Sequence, residues 1–347
     1  MNDYLRKKIN PYKTRGFKML TSNFKNSKNI SDLSKIDKKD IKRVLISRPN
    51  HRLGNQLLIS PIIQVVEAEF PNCKIDLLVN GNLSRILYKN YTSVENVYDL
   101  PKKPFKNLFK YLKTSFKVLS VKYNLAIVAT ETSNSSKFFV KLSRAEFKIF
   151  NSGYGIVPSR HIAKKPIDNF LNAYKGNTIE DYPRLDIKLT DDEIRIGKSV
   201  LSNYFNNSYK TIAIFTNATG KKKLSKQWWQ ELCLKLETDI PKVNILEILP
   251  KENTSQVDFK YKNYLSNDLR EMSSVIENSA IFIGADSGVM HLAASTNTPT
   301  FGLFNGRTNP EKYGSYGSYK YVIETKKTGI DELVKEIKNT LHNNDHK

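Results

Sequence analysis

The stretch "SAIFIGADSGVMHLAASTNTPTFGLF", residues 279–304, decides how this chain is read. An apolar run over 280–285 breaks at Asp286-Ser287-Gly288, apolar residues recur at helical spacing as far as 296, and a second apolar run closes at Phe304. Short apolar runs bounded by small residues read as buried strands, and a helical pattern between two of them reads as a crossover in a parallel sheet. Ser287 is a good N-cap, because its hydroxyl can accept from a first-turn N–H. Gly288 has no Cβ, so a ligand can approach its backbone closely. Amide groups at a helix start together with the helix dipole suit a phosphate or diphosphate. Asp286 would repel such a group, so it is expected to meet hydroxyls or a lysine beside it. By itself the pattern also fits an ordinary capped helix with no ligand.

The same alternation runs outward in both directions. Strands are expected at 42–48, 74–79, 96–100, 124–130 and 147–150, and again at 210–216, 243–249, 280–285, 298–304 and 319–324. Helical spacing occupies 53–70, where Pro61 implies a kink or a late start, and 225–238, 269–279, 288–296 and 329–342. Between the two series, residues 151–190 hold Gly153, Gly155, Pro158, Pro166 and Pro183 and few apolar runs, which marks an inter-domain segment. The fold class is therefore α/β, with two doubly wound Rossmann-like domains facing a central cleft. The expected division is a basic extension over 1–40, one domain over 41–185 and a second over 186–347, whose last helix can pack back on the first. Ligands of such sheets bind beyond the carboxyl ends of the strands.

The 347 residues suffice for about two domains. No apolar run of membrane-spanning length occurs, and the N-terminus, "MNDYLRKKINPYKTRGFK", lacks the apolar centre of a secretory signal. Cys73 and Cys233 form no disulfide framework, so the cytoplasm is the default compartment. The formal net charge is +22, of which residues 1–43 carry +9 and residues 101–122, with seven lysines and no acid, carry +7. Localised positive charge calls for an anionic partner or serves as a solvated basic face. Nucleic acid is the rival partner, but no helix-turn-helix, zinc-finger or RNP-like motif is present, so it is not expected. Phe105, Leu108, Phe109, Leu112, Phe116 and Leu119 recur at helical spacing, flanked by Lys102, Lys103, Lys106, Lys110, Lys113 and Lys117. Such a stripe fits an interfacial helix on an anionic membrane or a helix packed on the first sheet.

Residues 286–294, Asp-Ser-Gly-Val-Met-His-Leu-Ala-Ala, resemble the C-terminal signature of glycosyltransferase family 9, the heptosyltransferase-like enzymes. "NTPTFGLFNGRTNPEKYGSYG" (297–317) is similar to the segment that follows it in the family, and "ISRPNHRLGNQLLISPIIQVVEAEFPNCKIDLLV" (46–79) is similar to the family's first loop and helix. The likeness runs in order over roughly 41–340. It implies a GT-B fold with an acceptor-binding first domain and a second domain that binds a nucleotide-diphospho-sugar. It also implies an inverting, metal-independent transferase with no cofactor, acting on a lipid-linked glycan such as lipopolysaccharide core at the cytoplasmic face of the inner membrane, with an ADP-heptose-like donor. The sequence shows no Asp-x-Asp after an apolar strand, and His51, His161, His291, His342 and His346 lack metal-ligand spacing.

On that likeness the donor side falls to Asp286, Ser287, Gly288, His291 and Thr219. Lys226, two residues before Trp228, is the cation expected to neutralise the departing diphosphate, while Lys221, Lys222 and Lys223 are expected to form a solvated loop with a smaller chance of touching phosphate. Gly54 is expected to allow a tight turn and close approach. The family places a carboxylate after that glycine as general base, and here Asn55 stands in its place. An amide is no base at neutral pH, so His51 or a carboxylate elsewhere takes the proton, or proton transfer to water is late, or the protein is a catalytically impaired homologue that binds sugar nucleotide or glycan.

Overall fold

The computed structural model describes residues 36–130, 133–150 and 159–343. Most of the basic extension, and Gly153, Gly155 and Pro158, lie outside the described residues. The chain forms two compact units. The first holds the described residues up to His51 with Ile62–Asn82 and Thr92–Asp181; the second holds Arg52–Pro61, Leu83–Tyr91 and everything from Tyr182 on. Two stretches far ahead of the expected boundary at 185/186, and the four residues just before it, thus group with the second unit.

The first unit is built on a five-stranded parallel sheet in the order β3-β2-β1-β4-β5, with β1 Arg43–Ser47, β2 Lys74–Asn80, β3 Val94–Leu100, β4 Lys122–Val128 and β5 Arg144–Ile149. Val44 of the central strand faces Ile75 on one side and Leu125 on the other. β1, β2 and β4, covered on both faces, read as largely apolar runs, which is why the middle of this sheet was visible in the sequence. The helical run 53–70 is two helices, α1 Leu53–Leu57 and α2 Ser60–Glu69, and Pro61 lies in the first turn of α2, where its missing N–H costs nothing. α3 is Leu83–Leu87.

Two expectations for this half are corrected. Residues 151–190 are not all linker, because α6, Lys165–Lys175, lies among them and buries Ile167, Phe170, Leu171 and Tyr174. Pro166, read as a break, lies in the first turn of this helix, and Gly176, at φ 70°, ends it. The lysine-flanked segment forms α4, Leu108–Ser120, but its apolar stripe does not pack on the sheet. Val118 is the buried residue, with Tyr111 and Leu119 partly buried against the core under β4 and α5 (Asn134–Leu142). Leu108, Phe109, Leu112 and Phe116 point to solvent, 53, 80, 57 and 76% exposed.

The second unit has a six-stranded parallel sheet, β11-β10-β9-β6-β7-β8, with β6 Lys210–Phe215, β7 Val243–Ile248, β8 Lys262–Tyr264, β9 Ile281–Ala285, β10 Thr300–Phe304 and β11 Lys320–Glu324. Its helices are α7 Asp191–Tyr204, α8 Lys226–Asp239, α9 Leu269–Glu277, α10 Gly288–Ala294, the single turn α11 Pro310–Tyr313, and α12 Ile330–Asn343. Trp229, Leu232, Cys233 and Leu236 of α8 pack with Leu333, Val334, Ile337 and Leu341 of α12 in one core. The last helix is therefore part of its own unit's core, where its apolar spacing matches the face left open beside α8.

Two cations drawn out of solvent, Arg270 buried and Lys320 half-buried, mark this unit. Arg270, 3% exposed, pairs with Glu193 (Nε–Oε1 2.6 Å, Nη2–Oε2 2.7 Å) and donates to the carbonyls of Leu87, Ile187 and Lys188 at 3.0–3.1 Å. Lys320 donates to the carbonyls of Thr296 (2.9 Å) and Thr298 (2.5 Å). Burial, with Arg184 beside it, pushes the Lys320 amine down to about 7 from 10.5. The unfolded chain keeps that proton up to the higher value, so the cost of burying the ammonium is full below pH 7 and is relieved as pH rises toward 10.5. Stability of this unit is expected to rise by about 3 kcal/mol between pH 7 and pH 9.5 on this account. Denaturant unfolding of the wild type and Lys320→Met at both pH values checks it, since the variant loses that part of the rise.

Candidate functional site

Strand order in the second sheet reverses between β6 and β9, so the loops leaving their carboxyl ends part and leave a crevice, the place where open parallel sheets take ligands. Three loops meet there. The loop after β6 leads through Thr219 into a 3-10 turn, Gly220–Lys222. The loop after β9 is Asp286-Ser287, leading into α10. The loop after β10 is Asn305-Gly306-Arg307-Thr308, in which Gly306 takes φ 79°.

Asp286 is the centre. Its side chain is 5% exposed, and Oδ2 lies 3.0 Å from the Lys222 ammonium and accepts the Thr308 hydroxyl proton. Lys222 Nζ also approaches the Asp286 carbonyl at 3.5 Å. The Asn305 amide donates to the carbonyls of Lys221 (2.9 Å) and Lys223 (3.2 Å), which fixes the lysine turn, and its own Oδ1 accepts from Arg307 N–H. A carboxylate drawn out of water in this way needs a cation and a donor, and it has both. Within the protein itself, the hydroxyl that Asp286 meets is that of Thr308 and the lysine is Lys222.

Ser287 caps α10, its hydroxyl accepting from Met290 N–H at 3.2 Å. Gly288 is crowded from the same unit: a Cβ there would lie 2.9 Å from Leu53 Cβ and 3.2 Å from Gly54 N. The close approach that Gly288 permits is made by α1 rather than left open for a ligand. The complementary contact explains Gly54, where a Cβ would lie 2.6 Å from the His291 ring. His291 is thus buried under α1, and Asn55, half-buried, is the next residue of the same short helix. Gln56, fully buried, accepts the Ser84 hydroxyl proton at 2.6 Å and so ties α1 to α3. Asp186 N–H donates to Ser60 Oγ at 3.1 Å.

The other expected residues have surroundings of their own. Lys226 is the first residue of α8; its exposed ammonium pairs with Asp258. Thr219 is exposed. His51 is exposed in the first unit. Trp229 is fully buried in the core. Sequence reading gave the cation's part to Lys226 for its spacing from Trp228; the structure pairs Lys226 with Asp258 and brings a second lysine, Lys222, to Asp286. It also missed Glu247, fully buried on β7, whose carboxylate accepts from Thr216 (2.7 Å) and Ser255 (2.7 Å) and is pushed above its usual range by burial. Among the described residues no group of three or more His, Cys, Asp and Glu side chains is placed to hold a metal ion, and no helix is long and apolar enough to cross a membrane.

Residues 201–340 match the family model of glycosyltransferase family 9 (heptosyltransferase). No curated protein matches the chain in sequence. Among solved structures, the chain is similar to a glycosyl transferase family 9 protein from Veillonella parvula, at 16% identity over 87% of this chain and 90% of that one, with a TM-score of 0.70. It is similar to the Escherichia coli ADP-heptose lps heptosyltransferase II, at 14% identity over 88% and 99%, TM-score 0.65. It is similar to the E. coli heptosyltransferase WaaC with ADP, at 16% identity over 87% and 99%, TM-score 0.62. At such identities these likenesses speak for the fold, which is GT-B: two parallel-sheet Rossmann-like domains.

Proposed function

We propose that this chain, whose second unit carries a glycosyltransferase family 9 domain, moves a sugar from a nucleotide-diphosphate donor to a lipid-linked saccharide. The observation that carries the reading is the Lys222–Asp286–Thr308 cluster at the switch point of the matched domain. A sugar nucleotide has two anionic phosphoryl groups and a hydroxyl-bearing ring. A lysine held at a fixed place by a buried carboxylate offers a cation to the first, and the carboxylate offers an acceptor to the second. Ser287, at the helix cap beside them, completes the donor side as the family pattern implies. The donor is ADP-heptose-like, the acceptor is a lipid-linked glycan such as lipopolysaccharide core, and the enzyme works peripherally at the cytoplasmic face of the inner membrane.

In the proposed reaction an acceptor hydroxyl oxygen bonds to the anomeric carbon from the side opposite the diphosphate. The carbon–oxygen bond to the diphosphate breaks with inversion, and the nucleoside diphosphate leaves with the electron pair. Lys222 meets the growing charge, with no metal required. The hydroxyl proton goes to His51, to a carboxylate of either unit, or late to water, since Asn55 accepts no proton. Asn55 then orients the acceptor. That same asparagine favours a second reading, a homologue that binds sugar nucleotide without turnover.

Thermal unfolding with ADP-, GDP- and UDP-sugars tests the donor side. One of them at saturation is expected to raise the midpoint by several degrees. No shift with any of them would overturn the donor assignment; a shift with no transfer to any lipid-linked acceptor would select the binding-only reading.

A further inference from the structure

We propose that the exposed apolar face of α4 is the surface by which this protein lies on an anionic lipid bilayer. Leu108, Phe109, Leu112 and Phe116 are each more than half exposed, whereas the opposite side of the helix is anchored by Val118 and Tyr111. At 100° per residue those four side chains span an arc of about 100°, and Lys110, Lys113 and Lys117 fill the next arc of the helix. Large apolar groups set beside lysines, on a helix about 20 Å long, fit a helix lying in the plane of the interface and not one crossing it.

Charge selects the partner. Residues 101–122 contain seven lysines and no acid. Lys102, Lys103, Lys106 and Lys110 line a concave surface of about 490 Å³ at the start of the helix, where Asp99 of β3 pairs with Lys110 at 3.3 Å. A lipid phosphate layer answers such a row along its whole length, and lysine stems can lie along apolar surface while their heads reach the phosphates. A second copy of this chain docked through the same face would set lysines against lysines. Phe109 and Phe116 are assigned to the acyl boundary, and Lys106, Lys113 and Lys117 to the headgroup phosphates. The inference deepens the proposed placement at the membrane and is argued from the first unit's geometry alone, so vesicle binding can fail while donor binding stands.

The test is co-sedimentation of the full chain with vesicles of phosphatidylcholine alone and of phosphatidylcholine mixed with phosphatidylglycerol. Binding is expected to the mixed vesicles, weakening with salt. Phe109→Ser with Phe116→Ser is expected to reduce it by about tenfold or more, and Lys113→Glu with Lys117→Glu to reduce it comparably at low salt. Because these positions are exposed, both double variants should melt with the wild type and keep nucleotide-sugar binding. Should a double variant fail to fold, Phe109→Trp supplies the reading, its fluorescence moving to the blue on mixed vesicles. The proposal is overturned if the wild type ignores mixed vesicles, if the serine variant binds as the wild type does, or if the tryptophan does not respond. It is equally overturned if the apolar face instead supports a concentration-dependent dimer that the serine variant abolishes while vesicle binding persists.

Discussion

Arg270→Ala is expected to lower the stability of the second unit by about 3–5 kcal/mol, seen as a fall of about 10 °C in its unfolding midpoint. The guanidinium is almost fully buried and serves two elements at once: the Glu193 carboxylate on α7 and the carbonyls of Leu87, Ile187 and Lys188. Its removal leaves a carboxylate without its main partner and several carbonyls without a donor. The Arg270 hydrogen bonds, followed by those of Lys89 and the Thr190 N–H, hold the Glu193 carboxyl well below its usual range. A depressed carboxyl contributes stability that is full above its unfolded pKa and is lost as pH falls toward the folded value. Acid sensitivity from this source should therefore shrink in Arg270→Ala. Adding Glu193→Gln should recover part of the loss, because the stranded charge is gone. Denaturant unfolding at neutral and acid pH measures all three, and a loss under 1 kcal/mol would show that the buried pair does not hold this unit together.

Lys222→Ala is expected to lower kcat/KM for the proposed transfer by about 100-fold, the usual scale for removing one preorganised donor from a developing anion. Asp286→Ala should cost at least as much, since it releases both Lys222 and Thr308. Lys226→Ala should cost less than about tenfold, because an exposed pair such as Lys226–Asp258 fixes little. Steady-state kinetics on the three variants gives the order. If Lys226→Ala were the most damaging and Lys222→Ala mild, the cation's part would return to Lys226.

That ambiguity shows where sequence reading stops. β1, β6 and β9 are buried on both faces, so each is a continuous apolar run that identifies itself. β8, Lys262–Tyr264, is three residues long with no such run, and it was invisible. α7 is mostly exposed and offers little apolar rhythm; its one local signal was the Thr190/Glu193 capping box, which went unread. Asp286 was placed from its neighbours, because a buried carboxylate at a strand end has few options. Which lysine answers it was not legible locally: it depends on a 3-10 turn clipped by Asn305, some eighty residues away. The packing of Gly54 on His291 spans a longer separation still, and nothing in either stretch announces the other.

The membership of Arg52–Pro61 and Leu83–Tyr91 in the second unit has a consequence for anyone dissecting the protein. A fragment starting at Tyr182 would keep every strand of its sheet yet lack the lid over His291 and one of the mates of Arg270. Such a truncation is a mutilated domain, and the ribosome delivers these two pieces long before the body that needs them.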